Sequence, residues 1–146
     1  MNEEIKRPNK TGGISQAVAE EEFERFCKAA RLKMDRVRDQ LSQKDIKADK
    51  QYFIEELMEG RITVDSDGWP TVHTENEALP EIVFNKRPTG KSLMAMDKKK
   101  SGQDAAKMFA IVGAYLGINP PRLMDLDDVD WVNVECVYSL FRGNRA

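Results

Sequence analysis

Apolar residues at helical spacing dominate the first third of the chain and limit what it can fold into. They recur at steps of three and four residues between mostly charged positions, as Ala19, Phe23, Phe26, Ala30, Met34, Val37 and Leu41. Such steps place side chains on one face of an α-helix, and Ser15 belongs to the residue types that cap helix N-termini. The pattern predicts one long amphipathic helix over residues 15–42. Residues 1–14 are mainly polar and contain a Gly-Gly pair, so we expect them to form a flexible arm.

The periodicity then changes from helical to strand-like. Asp49 can cap a second helix, which Gly60 can end. Residues 61–73 contain two β-prone segments around the turn sequence Asp-Ser-Asp-Gly, which predicts a hairpin. Because proline donates no backbone hydrogen bond, Pro70 predicts that the returning strand lies at a sheet edge. These elements make up an N-terminal region over residues 15–78.

Residues 79–146 are predicted to form a second, mostly helical unit. A short strand over 81–84 is followed by a helix that Thr89 can cap. Further helices are predicted over 105–116, before a Gly-Ile-Asn-Pro-Pro stop, and over 128–141. The expected fold class is therefore α+β and mainly helical, with a long N-terminal helix, a β-hairpin or short sheet, and a C-terminal three-helix unit.

Charge and composition exclude several classes of function. The chain carries 23 Lys and Arg against 25 Asp and Glu, a formal net charge of -2, so it has no overall basic field for nucleic acid. No apolar run approaches the roughly 20 residues that a membrane span needs. Cys27 and Cys136 are far apart in sequence, which fits core thiols in a reducing cytosol.

The sequence NKRPTGKS, residues 85–92, resembles a phosphate-binding loop only in part. Gly90, Lys91 and Ser92 match the G-x-x-x-x-G-K-[ST] pattern, but Asn85 replaces its first glycine. Pro88 also removes one backbone N–H from the phosphate cradle. We therefore interpret the segment as the start of a capped helix, while an enzyme or nucleotide-binding protein built on it stays a third hypothesis.

Other side chains with possible chemistry have simpler interpretations. The acids Asp125, Asp127, Asp128 and Asp130 lack the glycine and glutamate positions of an EF-hand and suit a helix N-terminus. His73 has no neighbouring Cys or His and is interpreted as a surface residue. No nucleophile–base pair or paired carboxylates stand out. We expect no enzyme activity, no catalytic or metal site and no cofactor.

The order of motifs from about residue 79 to residue 141 resembles that of a phage protein family. The segments EIVFNKRPTGKSLMAMD, AAKMFAIVGAYLGINPPRLMDLDDVDW and VNVECVYSLF resemble tail assembly chaperones of long-tailed bacteriophages, in particular the small Mu-like tail chaperone family. Within this motif, Arg87, Pro88, Thr89 and Gly90 would form a structural elbow between strand and helix. The sequence departs from the pattern at Lys91-Ser92, where an acidic residue often follows the glycine.

The resemblance implies a non-enzymatic chaperone in the host cell cytoplasm. Such proteins are thought to coat the tape measure protein until the tail tube polymerises around it. Further partners would be the tail tube protein, a frameshifted longer form of the same protein, or a second copy of it, but neither nucleic acid nor a membrane. The last helix has a wider apolar face than a single core contact needs, and we expect a partner to meet Trp131, Tyr138, Phe141 and Met108.

An alternative function comes from a different class of protein. A small structural component of the phage tail, neck or baseplate would use the long N-terminal helix and arm as assembly contacts. The two hypotheses differ in whether the protein stays in the finished virion.

Overall fold

The computed structural model describes residues 13–32, 34, 40–91 and 104–143. It is a mainly helical α+β fold with a small antiparallel sheet, which confirms the fold class predicted from the sequence. In chain order its elements are α1 (Gln16–Ala30), α2 (Gln40–Glu59), β1 (Ile62–Val64), β2 (Pro70–His73), β3 (Glu81–Val83), α3 (Asp104–Leu116), α4 (Pro120–Met124) and α5 (Asp128–Gly143).

Helix α1 begins where the sequence predicts and ends well before residue 42. The Ser15 hydroxyl caps it by accepting a hydrogen bond from the Val18 N–H. At the other end, Arg31 adopts the left-handed conformation with φ of 59°, and the Arg31 and Leu32 N–H groups bond to the Lys28 and Cys27 carbonyls. The prediction of one continuous helix over 15–42 is therefore wrong. The spacing of apolar residues does not reveal that an arginine adopts the left-handed conformation and ends the helix.

Helix α2 begins at Gln40, so Asp49 lies inside the helix and the prediction that it caps the N-terminus is wrong. The buried side chains of the helix, which include Ile46 as well as Phe53 and Leu57, extend its packed face to both sides of Asp49. Gly60 ends α2 as predicted, with a positive φ of 82° and its N–H bonded to the Leu57 carbonyl. The position of Val37, which the predicted long helix included, lies outside the described residues.

The predicted hairpin is confirmed as β1 and β2. The Asp65 carboxylate accepts hydrogen bonds from the Asp67 and Trp69 N–H groups and closes the turn. Gly68 has φ of 93°, and a Cβ atom there would lie 2.7 Å from the Arg25 carbonyl oxygen of α1. Glycine thus lets the turn pack directly against the first helix.

Strand β2 is the centre of the sheet, so the prediction that Pro70 marks an edge strand is wrong. The strand order is β1-β2-β3, with both pairs antiparallel. Pro70 is tolerated because it is the first residue of β2 and uses its carbonyl, which accepts a hydrogen bond from the Phe84 N–H. The third strand of the sheet therefore comes from the predicted C-terminal region.

The C-terminal helices α3 and α5 agree with the predictions over 105–116 and 128–141. Helix α4 was missed, because the Pro120-Pro121 pair reads as a helix stop although prolines also suit the first turn of a helix. A further helix begins at Gly90, as the Thr89 cap predicts, and its expected continuation to Met96 lies outside the described residues.

One core joins the two predicted regions of the chain. Phe26 of α1 stacks on Phe53 of α2 with ring centroids 5.1 Å apart, and Phe141 of α5 meets Phe26 edge-on at 5.6 Å. Ile82 and Phe84 add side chains from β3 and the residue after it. Residues 15–78 and 79–146 thus share packing, and their division into two units stays a prediction. Even the predicted arm contributes, because Ile14 packs against this core.

A buried polar chain also links α2 to α5. The Asn133 side chain is fully buried; it accepts a hydrogen bond from the Tyr52 hydroxyl at 2.7 Å and donates one to the Glu56 carboxylate at 2.9 Å. Arg61 lies 3.5 Å from the same carboxylate. The Asn133 amide thus has a hydrogen-bond partner on α2 for both its oxygen and its nitrogen, which holds α5 in one place on α2.

Candidate protein-binding surface

Two of the four residues expected to meet a partner are core residues. Tyr138 is 3% exposed and Phe141 is 2% exposed. Both rings pack on Tyr115 of α3, with centroids 5.9 and 6.0 Å apart. The expectation that they lie on a partner surface is wrong. The apolar face of α5 is wide because α2 covers the helix on one side and α3 covers it on the other.

Trp131 of α5 and Met108 of α3 are both half-buried. The Trp131 ring stacks on Phe109 of α3, with a centroid distance of 4.3 Å and an angle of 28°. Met108 packs against the edge of the core. Both residues therefore remain partly accessible, and their role in partner binding stays a prediction.

The most exposed apolar side chains of α5 were not among the predicted contact residues. Val129 is 49% exposed and Val132 is 42% exposed. They lie three positions apart on one helical face, which we call the open face of α5. Met124, at the end of α4, is 59% exposed.

The open face continues an apolar stripe that is buried further along the helix. Cys136 and Leu140 follow Val132 at helical spacing and are 6% and 0% exposed. The Cys136 thiol contacts the Asp49 carbonyl of α2 at 3.4 Å, so α2 covers the stripe at this level. Periodicity groups all four residues together, but it cannot show where a neighbouring helix stops covering them.

Acidic groups lie on one side of the open face. Asp128 begins α5 and is exposed, Glu135 lies one turn beyond Val132 and is half-buried, and Asp125, just before α5, is exposed. Partial burial raises the pKa of the Glu135 carboxyl. An apolar patch with acidic groups on one side favours a partner that offers apolar side chains flanked by basic ones.

The other acids of this cluster have structural roles. The Asp127 carboxylate accepts a hydrogen bond from the Asp130 N–H and caps α5, as the sequence predicts. Asp130 is buried and accepts a hydrogen bond from the Glu75 N–H at 2.9 Å. Among the described residues no group of three or more His, Cys, Asp or Glu side chains could hold a metal ion.

The segment predicted to form an elbow lies between a strand and a helix, and the role that the resemblance implies for it stays a prediction. Arg87, Pro88 and Thr89 connect the end of β3 to the helix that begins at Gly90, and Arg87 is exposed. Gly90 has no positive φ, and a Cβ atom there would meet nothing within 4 Å. The glycine therefore makes no tight turn of the kind that wraps a phosphate, which favours the interpretation as a capped helix start.

A cavity of about 400 Å³ lies beside β3. One wall is the strand and the residues after it, and the other is the C-terminal end of α3 with Leu116 and Ile118. The Tyr115 hydroxyl donates a hydrogen bond to the Lys86 carbonyl and holds the two walls together. The result is a groove between β3 and the C-terminal end of α3.

His73 is buried, so its interpretation as a surface residue is wrong. Its side chain is 8% exposed, with Nε2 at 2.8 Å from the Thr63 hydroxyl and Nδ1 at 3.6 Å from the Glu81 carboxylate. Burial lowers the pKa of the imidazole, and the Glu81 charge opposes this only in part. His73 lies at the end of a strand, next to a polar connector. This local pattern does not show that residues of the neighbouring strands bury the imidazole.

Both cysteines agree with their interpretation as core thiols. Cys136 is buried and Cys27 packs against the core. Burial raises the pKa of both thiols, so neither is activated as a nucleophile in the folded chain. In the part of the chain that the structure describes, no helix is both long and apolar enough to cross a membrane.

Comparison with protein families, curated proteins and solved structures gave no match. The fold and its surface define a mainly helical α+β protein that presents an apolar helix face with acidic groups on one side.

Proposed function

We propose that this chain is a non-enzymatic tail assembly chaperone of a long-tailed bacteriophage that binds the tape measure protein in the host cell cytoplasm. Two things support the proposal: the order of motifs over residues 79–141, and an accessible apolar face on the last helix. The observation that carries it is the exposure of Val129 and Val132 on a stripe that is otherwise buried. A tail tube protein or a frameshifted longer form of the chain would be further partners.

The open face suits an amphipathic helix of the client. A helix presents apolar side chains at three- and four-residue steps, and the two valines offer the same spacing. Each square ångström of apolar surface removed from water contributes roughly 25 cal/mol, so a patch of two or three side chains binds weakly. Many copies along one long helical client would bind it firmly together, and each copy could still leave when the tube replaces it.

Exchange of one exposed valine tests the surface. We expect Val132→Asp to weaken binding to tape measure fragments at least about tenfold, because it puts a charge into an apolar contact. Val18→Asp is the matched control, since Val18 is also exposed, at 40%, but lies on α1. The measurements are the solubility of co-expressed tape measure fragments and the dissociation constant by calorimetry.

Equal loss of binding in both variants, or no loss in either, would show that the open face is not the client surface.

A separate experiment tests the hypothesis that the chain is a structural component of the virion. Mass spectrometry of purified virions should show the chain absent or far below stoichiometric amounts. Stoichiometric presence would contradict the chaperone proposal and favour a part of the tail, neck or baseplate.

A further inference from the structure

The two outer strands of the sheet differ in how their edges are covered. On β1, the Arg25 guanidinium of α1 donates one hydrogen bond to the outward-facing Val64 carbonyl at 3.1 Å and another to the Asp65 carbonyl of the adjoining turn at 2.8 Å. On β3, the described residues supply no such cover. An uncovered edge strand is a template for another strand.

The register shows which groups of β3 face outwards. The Phe84 N–H donates a hydrogen bond to the Pro70 carbonyl, and the Pro80 carbonyl accepts one from the Thr74 N–H. Even-numbered residues of this strand therefore direct their backbone N–H and C=O groups towards β2. Backbone groups alternate along an antiparallel strand, and Glu81 and Val83 therefore direct their N–H and C=O groups to the outer edge. Val83 is 48% exposed, and the groove between β3 and α3 lies beside it.

We propose that β3 pairs with β3 of a second copy of this chain, antiparallel and about a two-fold axis near Val83. The pairing doubles the three-stranded sheet and places each incoming strand in the groove of the other copy. It satisfies the outward backbone groups of Glu81 and Val83 on both strands.

Charge complementarity selects a second copy as the occupant. The strand has a negative charge at its start, Glu81, and positive charges after its end, Lys86 and Arg87. Antiparallel self-pairing brings the start of one strand alongside the end of the other, so opposite charges meet at both ends. Cross-strand and diagonal neighbours of opposite charge each contribute roughly 0.2–1 kcal/mol to a pair of strands.

The inference goes beyond the proposed function and does not rest on it. The open face belongs to α5, whereas the pairing edge belongs to β3. A chain that dimerises without binding a tape measure fragment would therefore refute only the chaperone proposal, and a monomer that binds the fragment would refute only the dimer.

Hydrogen exchange of the full chain tests the pairing without any substitution. The Ile82 amide faces β2 and should be protected at every protein concentration. The Val83 amide faces outwards and should become protected as concentration rises, in step with dimer formation measured by sedimentation equilibrium. A chain that stays monomeric, or a dimer that leaves the Val83 amide unprotected, overturns the proposal. So does protection of Val83 that appears only when a client peptide is added.

Proline at the same position supplies a second test. Val83→Pro removes an N–H that β2 does not use, and edge strands tolerate such a proline. We expect the dimer dissociation constant to rise at least about tenfold. Val83→Thr, which keeps the N–H and suits a strand, is the matched control and should dimerise as the unmodified chain does. Circular dichroism verifies that each variant is folded, and a folded proline variant that dimerises normally overturns the proposal.

Charge reversal tests the occupant. Arg87→Glu alone should weaken the dimer, and Glu81→Arg together with Arg87→Glu should restore it, because the opposite charges again meet. A double variant that dimerises no better than the single one would show that the two ends do not meet as proposed.

Discussion

Among single residues, the buried His73 is the one whose ordinary side-chain pKa lies closest to neutral pH. Its lowered pKa means that the folded chain binds fewer protons than the unfolded chain. Its contribution to stability is then complete above the ordinary imidazole pKa of about 6.5 and is lost as the pH falls below it. We expect the free energy of unfolding to decrease between about pH 7 and pH 5, measured by urea denaturation.

The control separates this effect from carboxyl groups that titrate in the same range. His73→Gln keeps a polar side chain beside Thr63 and has no charge to gain, so its stability should depend less on pH over this interval. Identical slopes for both proteins would show that another group is responsible.

The sequence shows which individual residues are apolar, but it does not show which of them a neighbouring helix buries. The thiols of Cys27 and Cys136 were predicted as core residues, because they lie beside apolar residues at helical spacing. Tyr138 and Val132 were misjudged in opposite directions. Each lies on the apolar part of α5, and only the positions of α2 and α3 decide which of them is buried.

Among the elements, α1 and α2 end in the same way with different residues. In both helices the first residue after the end has a positive φ, but α2 uses Gly60 whereas α1 uses Arg31. A non-glycine residue in the left-handed conformation destabilises the folded state by roughly 1–2 kcal/mol. Substitution by glycine removes this strain, but it also gives the unfolded chain more conformational freedom, which offsets part of the stabilisation. We expect Arg31→Gly to raise the free energy of unfolding by about 0.5–1 kcal/mol in chemical denaturation.

Alanine at the same position distinguishes the backbone from the side chain. Arg31→Ala removes the exposed guanidinium but keeps the Cβ atom, so it should give no such gain. If alanine stabilised the protein as much as glycine, the effect would belong to the arginine charge and not to the left-handed conformation.

Local signals explain which elements could be predicted. The hairpin and the ends of α3 were predictable because turn residues and a Gly-Ile-Asn-Pro-Pro sequence mark them. The end of α1 was not, because arginine gives no stop signal and the apolar steps run on into α2. The central position of β2 depends on pairing with β3, which no local pattern contains.

For the whole molecule, the shared core predicts one cooperative unit. Phe141, on the last helix, packs on Phe26 of the first, and Asn133 bonds to side chains of α2. A fragment over residues 79–146 would expose these contacts to water. We expect it to show no cooperative thermal transition by circular dichroism, whereas the full chain shows a single one.

Mixing the two parts provides the check. Addition of a fragment over residues 1–78 should restore the helical signal and the transition, because the contacts form again between the two pieces. A fragment 79–146 that melts cooperatively alone, at the midpoint of the full chain, would instead make the sequence division at residue 79 a division into independent folding units.

The arginine that covers the β1 edge also limits how far an assembly of this protein can grow. A sheet with two open edges adds copies without end and becomes a fibre, whereas a sheet with one open edge is complete after a single addition. With Arg25 bound to the Val64 carbonyl, the β1 edge has lost an acceptor that another strand would use, so the β3 edge is the more available side for joining.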